Sequence, residues 1–276
     1  KGEGLGNQFL SNIRLTDAIC HVVRCFDDAD ITHVEGSVDP IRDIEIINLE
    51  LIMADLQTIE NRLSKVERKA MTNKDKDAIA EVNVLKKLQA ALEAGKPVRS
   101  LDLEKEERLL IKAFNLLTLK PMIYIANMSD EEIAEPENNP YYQKVKELAD
   151  SEHNQVVPVC AKIEEELSGL DKEEKNAFLQ ELGIPESGLD KVIKTAYQIL
   201  NLCTFLTAGE DECRAWTFRK GMLAPQCAGV IHTDFEKGFI RAECYRFEDI
   251  DALGSEQAIK EAGKLRLEGK EYEVQD

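Results

Sequence analysis

Two stretches of the chain carry apolar residues at the period of a helix. From Ile52 they fall at Leu56, Ile59, Leu63, Val66 and Ala70, alternating steps of four and three that set all six on one stripe. A polar break over 72–77 follows. A second run then presents Ile79, Val82, Leu85, Leu88 and Leu92, padded by Ala90 and Ala91, until Gly95 and Pro97 end it. The pair predicts an antiparallel helical hairpin, each helix burying its seam on the other, with an exposed polar tip. Elsewhere the apolar runs are short. Ile19–Val23, Met122–Ala126 and Val156–Val159 are nearly continuous, as parallel strands buried on both faces read. A helix is expected near Asn7 to Arg14, a strand over Ala18–Phe26, and two further strands with their helices between about 118 and 200. Beyond Leu202 the pattern turns to aromatic-rich alternation, at 214–218 and 239–245, which predicts strands of a small mixed sheet.

Composition narrows the class. The 276 residues suffice for about two domains, and 43% hydrophobic with 32% charged is ordinary for a globular chain. No apolar run is long enough to span a membrane, and no secretory signal or internal repeat is visible. Seven cysteines without a C-x-x-C pair read as reduced structural thiols, and Cys20 and Cys25, at an odd separation on one strand, point to opposite faces and argue against zinc. The net charge of −18 argues against unaided, nonspecific binding to nucleic acid, since phosphate contacts need clustered cations; specific DNA binding is not expected. It leaves room for a local basic face. The candidates lie on the hairpin: Arg62, Lys65, Arg68 and Lys69, then Lys74, Lys76, Lys86 and Lys87.

The candidate chemistry lies at the ends of two strands. Met122–Ala126 stops abruptly in Asn127-Met128-Ser129-Asp130, where a side chain can meet a ligand at a strand's C-terminal end; an Asn there is also a common turn residue. Val156–Val159 runs into Cys160-Ala161-Lys162. The first loop resembles the Asn-Lys-x-Asp base-reading loop of GTPases with Met128 in the lysine position, and the second resembles their Ser-Ala-Lys loop. Gly2-Glu3-Gly4-Leu5-Gly6-Asn7-Gln8-Phe9-Leu10 looks like the glycine-rich tail of the second switch of Obg-type GTPases. Ile231 to Ile240, with His232-Thr233-Asp234-Phe235-Glu236-Lys237-Gly238 at its centre, resembles the signature of the TGS module. Along essentially its whole length the chain resembles the YchF, or Obg-like ATPase, family.

That resemblance implies an α/β fold: a parallel sheet of the P-loop NTPase type, an inserted antiparallel helical hairpin and a small C-terminal α+β, β-grasp-like TGS domain. The implied division is 1–39 for the first part of the G domain, 40–117 for the hairpin, 118–200 for the base-recognition part and 201–276 for the TGS domain. It implies a cytoplasmic, ribosome-associated protein that binds ATP or GTP with Mg2+ and hydrolyses it. Asn127, Met128, Asp130, Cys160, Ala161 and Lys162 would read the base, and Gly2, Gly4 and Gly6 would belong to the switch. Met128 offers an apolar contact to either purine, and ATP is expected over GTP by a modest factor. No G-x-x-x-x-G-K-[S/T] run occurs in the sequence. The expectation is therefore a chain carrying the base-reading half of a hydrolase, with the phosphate-reading half and the magnesium ligands upstream, no catalytic residue assigned, and an exposed hydrophobic sheet edge. A non-hydrolytic regulatory or RNA- and ribosome-binding module is the alternative. Two histidine readings stand beside these: His21 is expected to be a satisfied core residue, and His232, Asp234 and Glu236, if on a strand, would share a face without completing a metal site.

Overall fold

Helix α1 (Glu3–Arg14) leads into strand β1 (Ile19–Arg24), and the loop after β1 opens a long helix, α2 (Pro40–Asn73). The computed structural model describes residues 3–34, 36–73, 75–209 and 212–276. Gly2 and Lys74 lie outside the described residues. Pro40 stands at the first helical position, where its fixed φ and missing N–H cost nothing. Helix α3 (Lys76–Glu93) returns along α2, its first turn capped by the Asp75 carboxylate accepting from the N–H groups of Asp77 and Ala78. The predicted hairpin is present, and its first helix starts well before the apolar stripe. The extra turns have their own partner: Ile44 and Leu51 pack in the sheet core, whereas Ile59, Leu63 and Val66 pack against Leu85, Leu88 and Leu92 of α3.

The chain returns through the short helix α4 (Lys105–Ile111) and a 3-10 turn at Leu117–Leu119 to β2 (Met122–Asn127), α5 (Pro140–Glu152), β3 (Gln155–Val159) and α6 (Ala161–Ser168). Helices α7 (Lys172–Glu181) and α8 (Gly188–Ile199) follow. The three strands form one parallel sheet in the order β1-β2-β3, with Ile19 opposite Met122 and Ile123 opposite Gln155. Period-2 alternation sets Val23, Met122, Tyr124 and Ala126 on one face, which packs with Ile44 of α2 and Val145 of α5.

On the other face the expectation of strands buried on both sides holds for β2, where Ile123 is fully buried, and is corrected for β1, where Cys20 is exposed and Val22 is 62% exposed. His21 corrects another. Its Nδ1 is buried without a hydrogen-bond partner, and the ring tilts against Tyr124 at 5.8 Å.

Residues 1–196 form one compact unit and 197–276 a second. In the second, β4 (Leu202–Ala208) and β5 (Cys213–Arg219) form an antiparallel pair; α9 (Ala224–Ile231) and α10 (Thr233–Lys237) follow. Then β6 (Ala242–Cys244), α11 (Phe247–Leu253), α12 (Glu256–Glu261) and β7 (Arg266–Glu268) complete it, with β6 antiparallel to β7 and a bridge joining Leu223 to Glu273. Among the described residues the pairings here are antiparallel, so the expected mixed sheet is replaced by two separate ribbons. Residues 233–237 are helical rather than extended. The His232 side chain accepts the Asp234 N–H and caps the turn, which takes His232, Asp234 and Glu236 off any common strand face.

Candidate functional site

The loops that follow β2 and β3 meet at the C-terminal edge of the sheet. Asn127, the last residue of β2, accepts the Ala161 N–H on its Oδ1 at 3.0 Å. This bond fixes the rotation of the amide and leaves Nδ2 without a protein partner among the described residues. The Met128 N–H donates to the Val159 carbonyl at 2.8 Å, and the Cys25 N–H donates to the Asn127 carbonyl at 2.8 Å, so the backbone register of all three strands continues one residue into the loops. Lys162, in the first turn of α6, pairs with Asp130 at 2.5 Å. Both groups are largely open to solvent, and each shifts the other: hydrogen bonding to Lys162 holds the Asp130 carboxyl below its ordinary range, and Asp130 raises the Lys162 ammonium.

Four of the six candidate base-reading residues, Asn127, Asp130, Ala161 and Lys162, are thereby brought to one edge. Cys160 is a correction: it is 3% exposed and packs with Ile163, Leu167 and Ile184, and burial pushes its thiol up. Met128 is a second. Its side chain is 2% exposed and belongs to the sheet core with Ala126, Tyr142 and Val145, so it supports the loop from below and offers no open face to a ring. The alternation of β2 carries one step past the strand's end, and that step points inward.

Residues beyond the motif hold the loop in place. The Ser129 hydroxyl donates to Glu132 at 2.8 Å, and Asn139, itself buried, donates from Nδ2 to Glu132 and to the Cys25 carbonyl at 3.0 Å each. The Asn139 Oδ1 accepts the Tyr142 N–H at 2.8 Å and caps α5. Both devices have a sequence signal: Ser129 and Glu132 form an S-x-x-E pattern, and Asn139 precedes Pro140. On the far side Glu164 accepts the Gly188 N–H at 2.7 Å, and a Cβ on Gly188 would lie 2.9 Å from a Val159 methyl, so α8 starts in close contact with the end of β3.

The C-terminal part of the chain, residues 202–276, matches the YchF-GTPase_C family model, described as a protein of unknown function (DUF933). The whole chain is 58% identical to the "Ribosome-binding ATPase YchF" of Bacillus subtilis strain 168, covering 100% of this chain and 75% of that protein. It is 54% identical to the protein of the same name from Escherichia coli O157:H7, with the same coverage. The chain belongs to the YchF family. Among solved structures, that of the Schizosaccharomyces pombe YchF GTPase matches 98% of this chain and 73% of its own with a TM-score of 0.86 at 40% identity. The α/β architecture with its hairpin and small C-terminal part is thus a YchF fold.

Within this YchF chain the remaining candidates fall as follows. Gly4 and Gly6 lie in helix α1, and Gly2 is outside the described residues. Several hairpin cations are already paired: Arg62 grips Glu81, Lys86 meets Glu67 at 2.8 Å, and Lys87 meets Glu107 at 2.9 Å. The first two pairs cross the hairpin and the third joins it to α4; each lowers the positive charge available to a partner. Among the described residues no group of three His, Cys, Asp or Glu side chains converges on a point that could hold a metal.

Proposed function

We propose that this chain supplies the base-recognition site of a ribosome-associated nucleoside triphosphatase, with ATP preferred over GTP. The observation that carries the reading is the Asn127–Ala161 hydrogen bond at 3.0 Å, which joins the two strand-end loops and orients the free Nδ2 of Asn127 as a donor to a purine edge. Asp130 sets the preference. A carboxylate at that position favours guanine by accepting from its ring and exocyclic N–H groups, but here it is engaged by Lys162 at 2.5 Å. Guanine must displace the lysine, whereas adenine needs no such exchange. Ala161 and the stem of Lys162 border the space where the ring would lie.

Ribosome association and ATPase activity are carried over from the curated relatives' name at 54–58% identity. The described residues offer no protein ligand set for a metal, so Mg2+ is proposed to enter with the nucleotide phosphates and to be held there. The sequence holds no G-x-x-x-x-G-K-[S/T] run that would cradle a γ-phosphate. Residues 201–276 are proposed as the TGS-like interaction module and the surroundings as cytoplasmic; no described helix is long and apolar enough to cross a membrane.

The test is a titration of the isotope-labelled chain with ATP and GTP up to millimolar concentration, followed by backbone amide resonances. The expected result is perturbation centred on Asn127, Ala161 and Lys162, larger for ATP than for GTP at equal concentration. Perturbations confined to other regions, or an equal response in an Asn127→Ala variant, would sink the assignment.

A further inference from the structure

The opposite end of the sheet carries a second site. A cavity of about 390 Å³ lies beside the N-terminal ends of β1 and β2, within the range of ligand-binding clefts. Four cations line it, Lys105, Arg108, Lys112 and Lys120, against one carboxylate, Asp17. In a chain of net charge −18 such a local excess of positive charge is conspicuous. The helical period explains it: Lys105, Arg108, Leu109 and Lys112 stand at i, i+3, i+4 and i+7 on α4 and its 3-10 extension and share a face. Glu107 is turned away to Lys87 and to the Glu104 N–H.

The four cations are not equivalent. Lys120 is structural, its ammonium donating to the carbonyls of Arg14 and Thr16, and Arg108 donates from Nε to the Leu103 carbonyl at 3.2 Å. Lys105 and Lys112 are exposed and have no ion-pair partner among the described residues. Between the charges the floor is apolar, formed by Leu119 and Pro121, with Leu109 at the rim 63% exposed. Asn115 completes the wall in a left-handed conformation (φ 46°) that asparagine tolerates.

We infer that this cavity is a docking site for the phosphate backbone of RNA. The cations are spread along the helix face, not gathered on one point as a free phosphate would require. From Lys105 to Lys112 the helix rises about 10 Å, too far for both ammonium groups to serve one phosphate, so the two free lysines would meet different phosphates of one strand. The floor of Leu119 and Pro121 holds no aromatic side chain on which a base could stack, so the contact proposed is to the backbone charges and carries no base readout. The choice of RNA over an acidic protein rests on the ribosome association proposed above. The site is independent of the base-reading edge, because β2 separates them: Pro121 precedes the strand and Asn127 ends it.

Two readouts on the intact chain separate the possibilities. The first is anisotropy of a short labelled single-stranded RNA over a salt series; the second is cosedimentation with purified ribosomes. Replacing both free cations, Lys105→Glu with Lys112→Glu, is expected to weaken RNA binding by more than tenfold and to flatten the salt dependence by about 1.4, two phosphates at about 0.7 each. Lysine to arginine at the same positions is expected to retain binding, and Arg62→Ala on the hairpin to leave it unchanged. RNA affinity and salt slope unaltered by the double charge reversal would overturn the site. Ribosome binding without RNA binding would overturn RNA as the ligand in favour of an acidic protein, and competition by inorganic phosphate alone at equal charge would overturn it in favour of a small anion. Failure to cosediment with ribosomes would count against the association itself, whatever the fate of the cavity.

Discussion

Lys162 is the residue on which base preference turns. Its ammonium occupies the Asp130 carboxylate that guanine would otherwise use, so its removal frees an acceptor at the purine edge. Lys162→Ala is expected to shift the ratio of ATP to GTP affinity toward GTP by several fold, about 1 kcal/mol for one hydrogen bond regained. Competition between the two nucleotides on wild type and variant reads this directly; an unchanged ratio would mean that Asp130 does not face the base. His21 makes the second prediction at this scale. Burial first, and the Arg99 charge next, lower its pKa, while Asp43 and Glu152 oppose them. The folded state therefore holds the neutral imidazole, and the unfolded chain takes up a proton below about pH 6.5. The His21 contribution to stability is complete above that value and is lost as pH falls through it toward the depressed folded pKa. His21→Leu is expected to lose less melting temperature than wild type between pH 7.5 and 5.5, and, by removing the unpaired Nδ1, to gain about 1 kcal/mol at neutral pH.

Among the elements, α2 decides the most, because one helix serves two cores. Asp55 sits where it passes from one to the other. Fully buried, it accepts from the Leu117 and Thr118 N–H groups at 2.9 and 2.7 Å, from the Thr118 hydroxyl at 2.8 Å and from Arg14 at 3.1 Å. The carboxylate thus ties the hairpin to the turn before β2 and to the end of α1. Asp55→Ala leaves the buried Leu117 and Thr118 N–H groups without an acceptor and Arg14 without its counter-charge, although the guanidinium keeps the Ala54 and Asn115 carbonyls and the Thr58 hydroxyl, and an expected loss of about 3–5 kcal/mol follows. Denaturant unfolding measures it; a loss below 1 kcal/mol would show that the network is not the joint described. Nothing in the linear pattern marks Asp55, since its partners lie 41 to 63 positions away. The hairpin was legible because a seam of alternating three and four steps has one helical interpretation, and the Asn127 and Lys162 loops because each follows an apolar strand. Met128 was not, since a residue one step past a strand can turn either way. Residues 232–237 misled because His-Thr-Asp is at once an alternating run and a helix cap, and the cap won.

For the molecule as a whole, the two compact units differ in how much apolar surface they bury. Most of the buried hydrophobic residues lie before residue 197; beyond it, among the described residues, the buried set is Phe218, Ala224, Cys227 and Ile259. A unit of this size with so thin a core is the less stable part, because surface grows faster than buried volume as a domain shrinks. Heating is therefore expected to unfold the chain in more than one step, with the C-terminal unit melting first. Phe218, 2% exposed and set edge-on to Phe205 at 5.7 Å, is the side chain that separates the steps. Phe218→Ala removes about 3–5 kcal/mol from that core and should lower the first calorimetric transition while leaving the second in place. Cys227 reports the same event chemically: burial pushes its thiol up to about 11, so alkylation should await the first transition and come earlier in the variant. A single transition that moves as a whole in Phe218→Ala would show that the two units unfold as one cooperative body.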